Sequence, residues 1–579
     1  MKKLILVILA LLALIAGGGY WYFRSFPGTK ATTLALESVL PKETYGIIKV
    51  FDAKKQVERF KAGRMGQSLA AMDLPALLNL LEIPRQEQKR ILEMVSGFRS
   101  AADSPWFDIL FGREFALVLL PLSAEEKIDA DQLAQACLLV ARPKQPTKVL
   151  ESLNSMFAKP LDIRTSTFRQ WTISEFALEN GRPVYYALTD GLLLVAPSIL
   201  QIQRCLEQSL DADSSLRNRA SYRSFLAELH RSGQTDSFFY ADLEQILEKT
   251  KKTLTAMAPE TPEAASLRGR LAEMNGLETV AGAAYDDGSA LTRARIIVQV
   301  DRGRLSETLR TVFAEDSGRI PPLRQVPGEI LLYSWQNNFG VDSYWRNLAG
   351  DPATPPEAIK KIKKGFHDAT GVGLETFLAA LDSQFSFLLS DIRFGQLFPV
   401  PQMALSLGVK DAAVVRKAIH GAAQRTGLPL RKETYLGVEV VFTPLGEDLA
   451  PAYACDDSVC TIAVTNKLLR SILSAPENGN LAAASGFKAV DHGLSAENSQ
   501  ISYMDMEGIL AKTRAGLSWS ESRMALIQPD KGEKFRRIVD AGIHPLLEGL
   551  SGIKAIGSRT YVEKNRMISD LYVTMERNF

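Results

Sequence analysis

Tyr240-Ala-Asp-Leu-Glu-Gln-Ile-Leu247 returns later in the chain as Tyr503-Met-Asp-Met-Glu-Gly-Ile-Leu510, with five of eight positions identical. Each copy follows a short apolar run, Ser237-Phe238-Phe239 or Ile501-Ser502, that reads as a strand, and each continues into a helical pattern. The aspartate therefore stands where a helix N-cap belongs. Asp242 and Gln245 have capping-box spacing, and Asp505 is expected to cap the later helix with its carboxylate alone. Capping accounts for the aspartate completely, so the repeated stretch reads as strand-to-helix punctuation and not as a catalytic site.

Working outward from the two copies, the flanking segments match in the same order. Pro41 to Ile47 answers to Pro327 to Tyr333, Phe115 to Leu119 answers to Phe385 to Leu389, and the Cys137 strand answers to Met403 to Leu407. The hairpin signal Asp190-Gly191 answers to Cys455 to Cys460, and Tyr285 answers to Tyr561. The offset drifts only by loop-sized amounts, which is the pattern of a duplicated domain, and its length excludes a solenoid of short repeats. Inside each half a shorter order recurs, of strand, long helical segment, two strands and helix, over 45–158 and again over 237–314. Long helices alternating with paired strands predict an α+β fold of two duplicated halves, each with antiparallel strands and long helices packed on one face. The boundaries read as 1–24 membrane anchor or signal, 25–38 linker, 39–315 first domain, 316–324 linker around Gly318-Arg-Ile-Pro-Pro322, and 325–579 second domain.

Lys2 and Lys3 precede 20 residues without a charge, Leu4 to Phe23, which end in Tyr20-Trp21-Tyr22-Phe23. That length spans a bilayer core and the aromatics suit its interface, so a single-pass anchor in a bacterial inner membrane is expected, with the bulk of the chain in the periplasm. Ala16 and Gly18 leave cleavage by a signal peptidase open. In such a compartment Cys455-Asp-Asp-Ser-Val-Cys460 is informative. A two-residue hairpin turning at Asp457-Ser458 puts Cys455 and Cys460 opposite each other as a non-hydrogen-bonded pair, close enough for a disulfide, with two thiols as the alternative. Cys137, in an apolar strand, and Cys205, on a helix, read as buried thiols.

The formal net charge is +2 with acids and bases interspersed, which argues against nucleic-acid binding. His230, His367, His420, His492 and His544 stand alone, so no metal site is read. Gly371-Val-Gly373 lacks the third glycine and the strand of a dinucleotide fingerprint, and the adjacent carboxylates Asp286-Asp287 and Asp456-Asp457 sit at hairpin tips. Ser485-Gly-Phe-Lys488 has the spacing of a serine–lysine hydrolase, but its companion motifs are missing and Ser551-Gly-Ile-Lys554 repeats the spacing by chance. Lys360-Lys-Ile-Lys-Lys364 reads as a solvated basic helix face, with contact to anionic lipid as a lesser reading. No catalytic, cofactor or metal residue is assigned.

The stretches Val39-Leu-Pro-Lys-Glu-Thr-Tyr-Gly-Ile-Ile-Lys-Val50, Phe111-Gly-Arg-Glu-Phe-Ala-Leu-Val118, Thr189-Asp-Gly-Leu-Leu-Leu-Val-Ala-Pro-Ser198 and Phe239-Tyr-Ala-Asp-Leu243, with the N-terminal span, resemble a family of bacterial envelope proteins known as a domain of unknown function. The resemblance implies an envelope location and a non-enzymatic role, and supplies no site residues. The expectation is a membrane-anchored binding or scaffold protein, partnered by the inner membrane through its N-terminal helix and by envelope proteins or lipid. The alternative is a carrier or chaperone for a lipid or other hydrophobic ligand.

Overall fold

The computed structural model describes residues 35–121, 130–156, 162–178, 181–231, 235–257, 262–286, 291–314, 318–351, 353–395, 398–446 and 449–576. Among them twenty strands join in one antiparallel sheet. In chain order they are β1 (Gly46–Phe51), β2 (Glu114–Leu119), β3 (Cys137–Arg142), β4 (Arg164–Phe168), β5 (Trp171–Ala177), β6 (Pro183–Thr189), β7 (Leu192–Ala196), β8 (Thr235–Asp242), β9 (Leu277–Asp286) and β10 (Leu291–Val300). The remainder are β11 (Leu332–Gln336), β12 (Leu381–Phe394), β13 (Pro399–Val409), β14 (Arg431–Tyr435), β15 (Val438–Phe442), β16 (Ala452–Cys455), β17 (Val459–Ala463), β18 (Gln500–Asp505), β19 (Ile553–Glu563) and β20 (Arg566–Met575). The fold is α+β.

The pairings run β4-β5-β6-β7-β3-β2-β1-β8-β9-β10 and then, across a seam between β10 and β20, β20-β19-β18-β11-β12-β13-β17-β16-β15-β14. The second series repeats the pairing scheme of the first, strand for strand. Since every step is antiparallel, β8 and β18 run in opposite directions, and the two Tyr-x-Asp motifs end at opposite margins of the sheet. Tight turns set the hairpin registers. Asp190 and Gly191 take φ of 48° and 76° between β6 and β7, and Leu436 and Gly437 take 50° and 79° between β14 and β15, the left-handed pair that matches strand twist.

Side chains alternate between two faces. One face carries both large cores. Ile47, Val118, Val140, Phe238, Tyr240 and Ile297 pack there under the helices Ile199–Gln208 and Ala220–Arg231, and Tyr333, Trp335, Leu388, Ile501 and Tyr503 pack under Asn466–Asn478 and Ser485–Val490. Between the cores, at the seam, Asp570 is 4% exposed and takes paired hydrogen bonds from Arg295 (2.6 and 3.0 Å) and from Arg559 (3.1 and 3.0 Å). The opposite face is covered in part, and Phe60, Met65 and Leu69 of the helices Ala53–Ala62 and Arg64–Ala71 pack there on Ile553 and Met575. The helices Pro105–Phe111 and Val149–Met156 lie over Phe176, Tyr186 and Leu193, Glu307–Val312 lies near Val298 and Met567, and Ala412–Arg425 lies near Leu407 and Cys460.

The expected membrane anchor, residues 1–24, lies outside the described residues. Among those that are described, no helix is long and apolar enough to cross a membrane. The longest, Met506–Ile527, has the 22 residues a span requires but carries Glu507, Lys512, Arg514, Glu521 and Arg523 along its length. The expectation of a single-pass inner-membrane protein, held by an N-terminal helix with its bulk in the periplasm, is corrected by that finding.

Candidate functional site

Asp242 is 1% exposed at the end of β8. It accepts from the Gln245 backbone N–H at 3.0 Å, from the Gln245 side-chain amide at 2.7 Å, and from the Arg219 guanidinium. Around this ion pair lies a cavity of about 430 Å³ with a wholly polar floor, since Asp242, Thr279, Gln299 and Arg566 stand side by side on β8, β9, β10 and β20. Its charges are paired except for Glu278, whose carboxylate accepts from the Gln299 side-chain amide at 2.9 Å. Arg219 pairs with Asp242, Arg566 with Glu228 at 2.6 Å, and Glu244 with Arg304. These pairs fix local geometry.

Asp505 behaves differently and corrects its expected capping role. It occupies the N-cap position of Met506–Ile527 but its side chain makes no capping bond. Gly508 stands where the first motif has Gln245, and the Asp505 carboxylate lies 2.5 Å from where a Cβ on Gly508 would be. Without a side-chain amide at that position to hold it over the first turn, the carboxylate settles beside the glycine. Ser198 likewise sits at an N-cap without a side-chain bond.

A second charged group lies on the core face beside β1. Lys49 Nζ is 3.0 Å from both Glu37 and Glu114, Arg142 Nε donates to Glu114 at 2.7 Å, and the Tyr222 hydroxyl donates to Glu37 at 2.9 Å. Burial alone would push the Glu37 carboxyl up, but the Lys49 charge and the hydrogen bonds overcome it and hold it below its ordinary value. Burial opposes the Lys49 charge in the same way, and the two carboxylates hold its ammonium above the usual lysine range. Burial pushes the Tyr222 hydroxyl well up, so it remains a donor to Glu37. The set ties the 3-10 turn Leu36–Val39 to the sheet.

The other expected positions are scattered. Cys455 and Cys460 form a disulfide as directly opposed residues, with Cα atoms 4.1 Å apart and Asp456 N–H bonded to Val459 O at 3.0 Å. Cys205 is buried, and burial pushes its thiol up to about 12, whereas Cys137 is exposed, contrary to expectation, because it begins β3 at the margin. His420 Nδ1 meets the Tyr453 hydroxyl at 2.8 Å and His492 stacks on Tyr572. Among the described residues no group of three His, Cys, Asp or Glu side chains gathers as a metal site would. The motif aspartates, the cysteine hairpin and the histidines do not converge.

What sequence reasoning missed lies on the uncovered face. Leu139, Leu117, Ile48, Phe239, Gly282 and Ile296 form one straight row across β3, β2, β1, β8, β9 and β10, each residue directly opposite the next. Leu117 is 54% exposed, Ile48 53% and Ile296 38%, in the middle of a wide sheet. Over β2, β1, β8, β9 and β10, this row and its neighbours on either side hold no charged side chain. Beyond the seam the row turns polar with Ser569, Thr560, Gln500 and Gln336. The sequence signal was present, since alternation makes Ile48 and Leu117 face away from Ile47 and Val118.

Residues 104–284 match a family described as protein of unknown function (DUF3352). The matched stretch runs from the start of the helix Pro105–Phe111 into β9 and contains Leu117, Leu139, Phe239 and Gly282. No curated protein matches the chain. A crystal structure of TP0453, in crystal form I, is similar over 50% of this chain and 88% of its own at 7% identity, with a TM-score of 0.24.

Proposed function

We propose that the chain is a non-enzymatic binding or scaffold module of two duplicated halves, 39–315 and 325–579, which engages a partner through the open apolar face of its first half. One comparison within the fold supports this reading. Tyr240 pairs with Ile47 as Tyr503 pairs with Tyr333, so Ile48 corresponds to Ser334, Phe239 to Ser502 and Gly282 to Ser558. The same pairing scheme thus accommodates serine at each of these positions, and Ser502 Oγ bonds Ser334 Oγ at 3.3 Å. Folding does not demand apolar side chains there, and a contiguous exposed apolar patch on a folded chain marks a contact surface. The two charged groups described above are taken up largely in ion pairs, which supports binding over catalysis.

A photo-crosslinking amino acid placed at Ile48, compared with one at the more exposed Leu526 on the helix Met506–Ile527, tests the proposal in cells that make the protein. A discrete adduct at position 48 and none at 526 is expected. Equal or absent labelling at the two positions would overturn it. A carrier for a hydrophobic ligand is the second reading, favoured by the absence of charge from the three rows of this face.

A further inference from the structure

We infer that the occupant of this face is a long hydrocarbon chain, such as the acyl tail of a lipid or fatty acid, lying across the strands along the Leu139-to-Ile296 row. The inference rests on the open-face reading above and names its ligand. The first support is chemical. Over β2, β1, β8, β9 and β10 the row and its two neighbours comprise fifteen positions, of which Val50, Ala284 and Ala294 are buried, and Ser237 carries the lone side-chain hydroxyl among them. An extended peptide laid there would leave its own N–H and C=O groups without partners, which is costly. A hydrocarbon brings no such groups.

The second support is shape. Helices stand on the margins of the face, Pro105–Phe111 and Val149–Met156 past the Leu139 end and Glu307–Val312 beside Val298. They obstruct a second broad sheet, which would need to approach to about 10 Å, and leave a narrow strip. Six strands at about 4.8 Å spacing give that strip a length of roughly 24 Å, suited to a long acyl chain. Gly282 shapes its floor. A Cβ there would lie 2.4 Å from the Phe239 ring, so the ring takes the space over the glycine that a side chain would fill. Where the row crosses the seam to Ser569 and Thr560, the apolar strip ends, and a polar headgroup finds hydroxyls.

The test uses the full chain stripped of lipid, with radiolabelled hexadecanoate and octanoate in equilibrium dialysis. Hexadecanoate is expected to bind with one site, and affinity should rise by up to about fourfold per methylene between the two acids. Ile48→Ser with Phe239→Ser, which installs the residues that the second half already carries, should weaken hexadecanoate at least tenfold, while Leu526→Ser leaves it unchanged. Equal binding by the two variants, or affinity independent of chain length, overturns the inference. If hexadecanoate fails to bind but the crosslinker at Ile48 still yields a discrete adduct, the acyl ligand is wrong and the open-face reading stands. If both fail, both fall.

Discussion

Replacing Lys49 by methionine should reverse the way acid affects the chain. Lys49 is 8% exposed and its ammonium lies 3.0 Å from each of Glu37 and Glu114. Methionine keeps the length and apolar stem and removes only the charge. Glu114 retains Arg142 at 2.7 Å, but Glu37, 3% exposed, is left with the Tyr222 hydroxyl and its own backbone contact. Removing one member of a buried pair costs about 3–5 kcal/mol, which lowers exchange protection of β1 amides by roughly 10²- to 10⁴-fold if they open with this cluster. The pH dependence carries the sharper sign. In the native chain the Glu37 carboxyl is held below its ordinary 4.5, so its contribution is present above that value and lost as pH falls through the lowered one. In Lys49→Met, burial, the largest influence on this carboxyl, outweighs the hydrogen bonds that remain and raises it, so the folded form favours the proton. The penalty should then be largest at pH 7 and shrink toward pH 5. Hydrogen exchange of β1 at both values, beside Lys49→Met/Glu37→Gln, decides it, with the double variant recovering most of the loss at pH 7. A single-variant loss under about 1 kcal/mol, or one that grows as pH falls, would refute the argument.

The two motif aspartates should part company. Asp242→Ala loses a cap and the Arg219 pair and should cost about 2 kcal/mol or more, whereas Asp505→Ala should stay within about 0.5 kcal/mol in urea unfolding. Asp570→Ala leaves Arg295 and Arg559 facing each other across the seam and should cost about 3–5 kcal/mol, read as selective loss of exchange protection in β10 and β20; uniform protection would contradict the clamp. A maleimide should label Cys137 in the native protein and leave Cys205, fully buried with its thiol near 12, unlabelled until denaturant is added.

The order of elements was legible because it depends on local pattern. Asp190-Gly191 announced its hairpin by turn chemistry, and Cys455 and Cys460 followed from the pairing rule of a two-residue turn. The hairpins β4–β5 and β14–β15 escaped because their strands, Arg164-Thr-Ser-Thr-Phe168 and Arg431-Lys-Glu-Thr-Tyr435, lie at the sheet's edges and are mostly exposed, so no apolar alternation reports them. Lys49 and Glu114 gave no sign of their partnership, since Glu37, Arg142 and Tyr222 come from separate segments that only the folded sheet brings together. Asp505 was misread because the cap was inferred from one residue, while its geometry depends on the side chain three positions on, and that residue is Gly508.

Strand pairing is a backbone property, and the two series of ten strands share it; what they do not share is the side-chain content of the uncovered face. Phe239 and Gly282 make this difference hard to treat as drift. An aromatic ring laid on a cross-strand glycine is a matched pair, since any Cβ at 282 would strike the ring and any smaller residue at 239 would open the floor. The corresponding pair is Ser502 and Ser558, which needs no such match. Two coordinated choices, flanked by Ile48 and Leu117 at more than half exposure, produce a smooth apolar strip where the fold itself accepts hydroxyls. Exposed apolar surface offers folding nothing at these positions and raises the risk of aggregation. Its persistence across six adjacent strands, and its end at the β10–β20 seam, is therefore best accounted for by something that covers the strip and stops where the strip does.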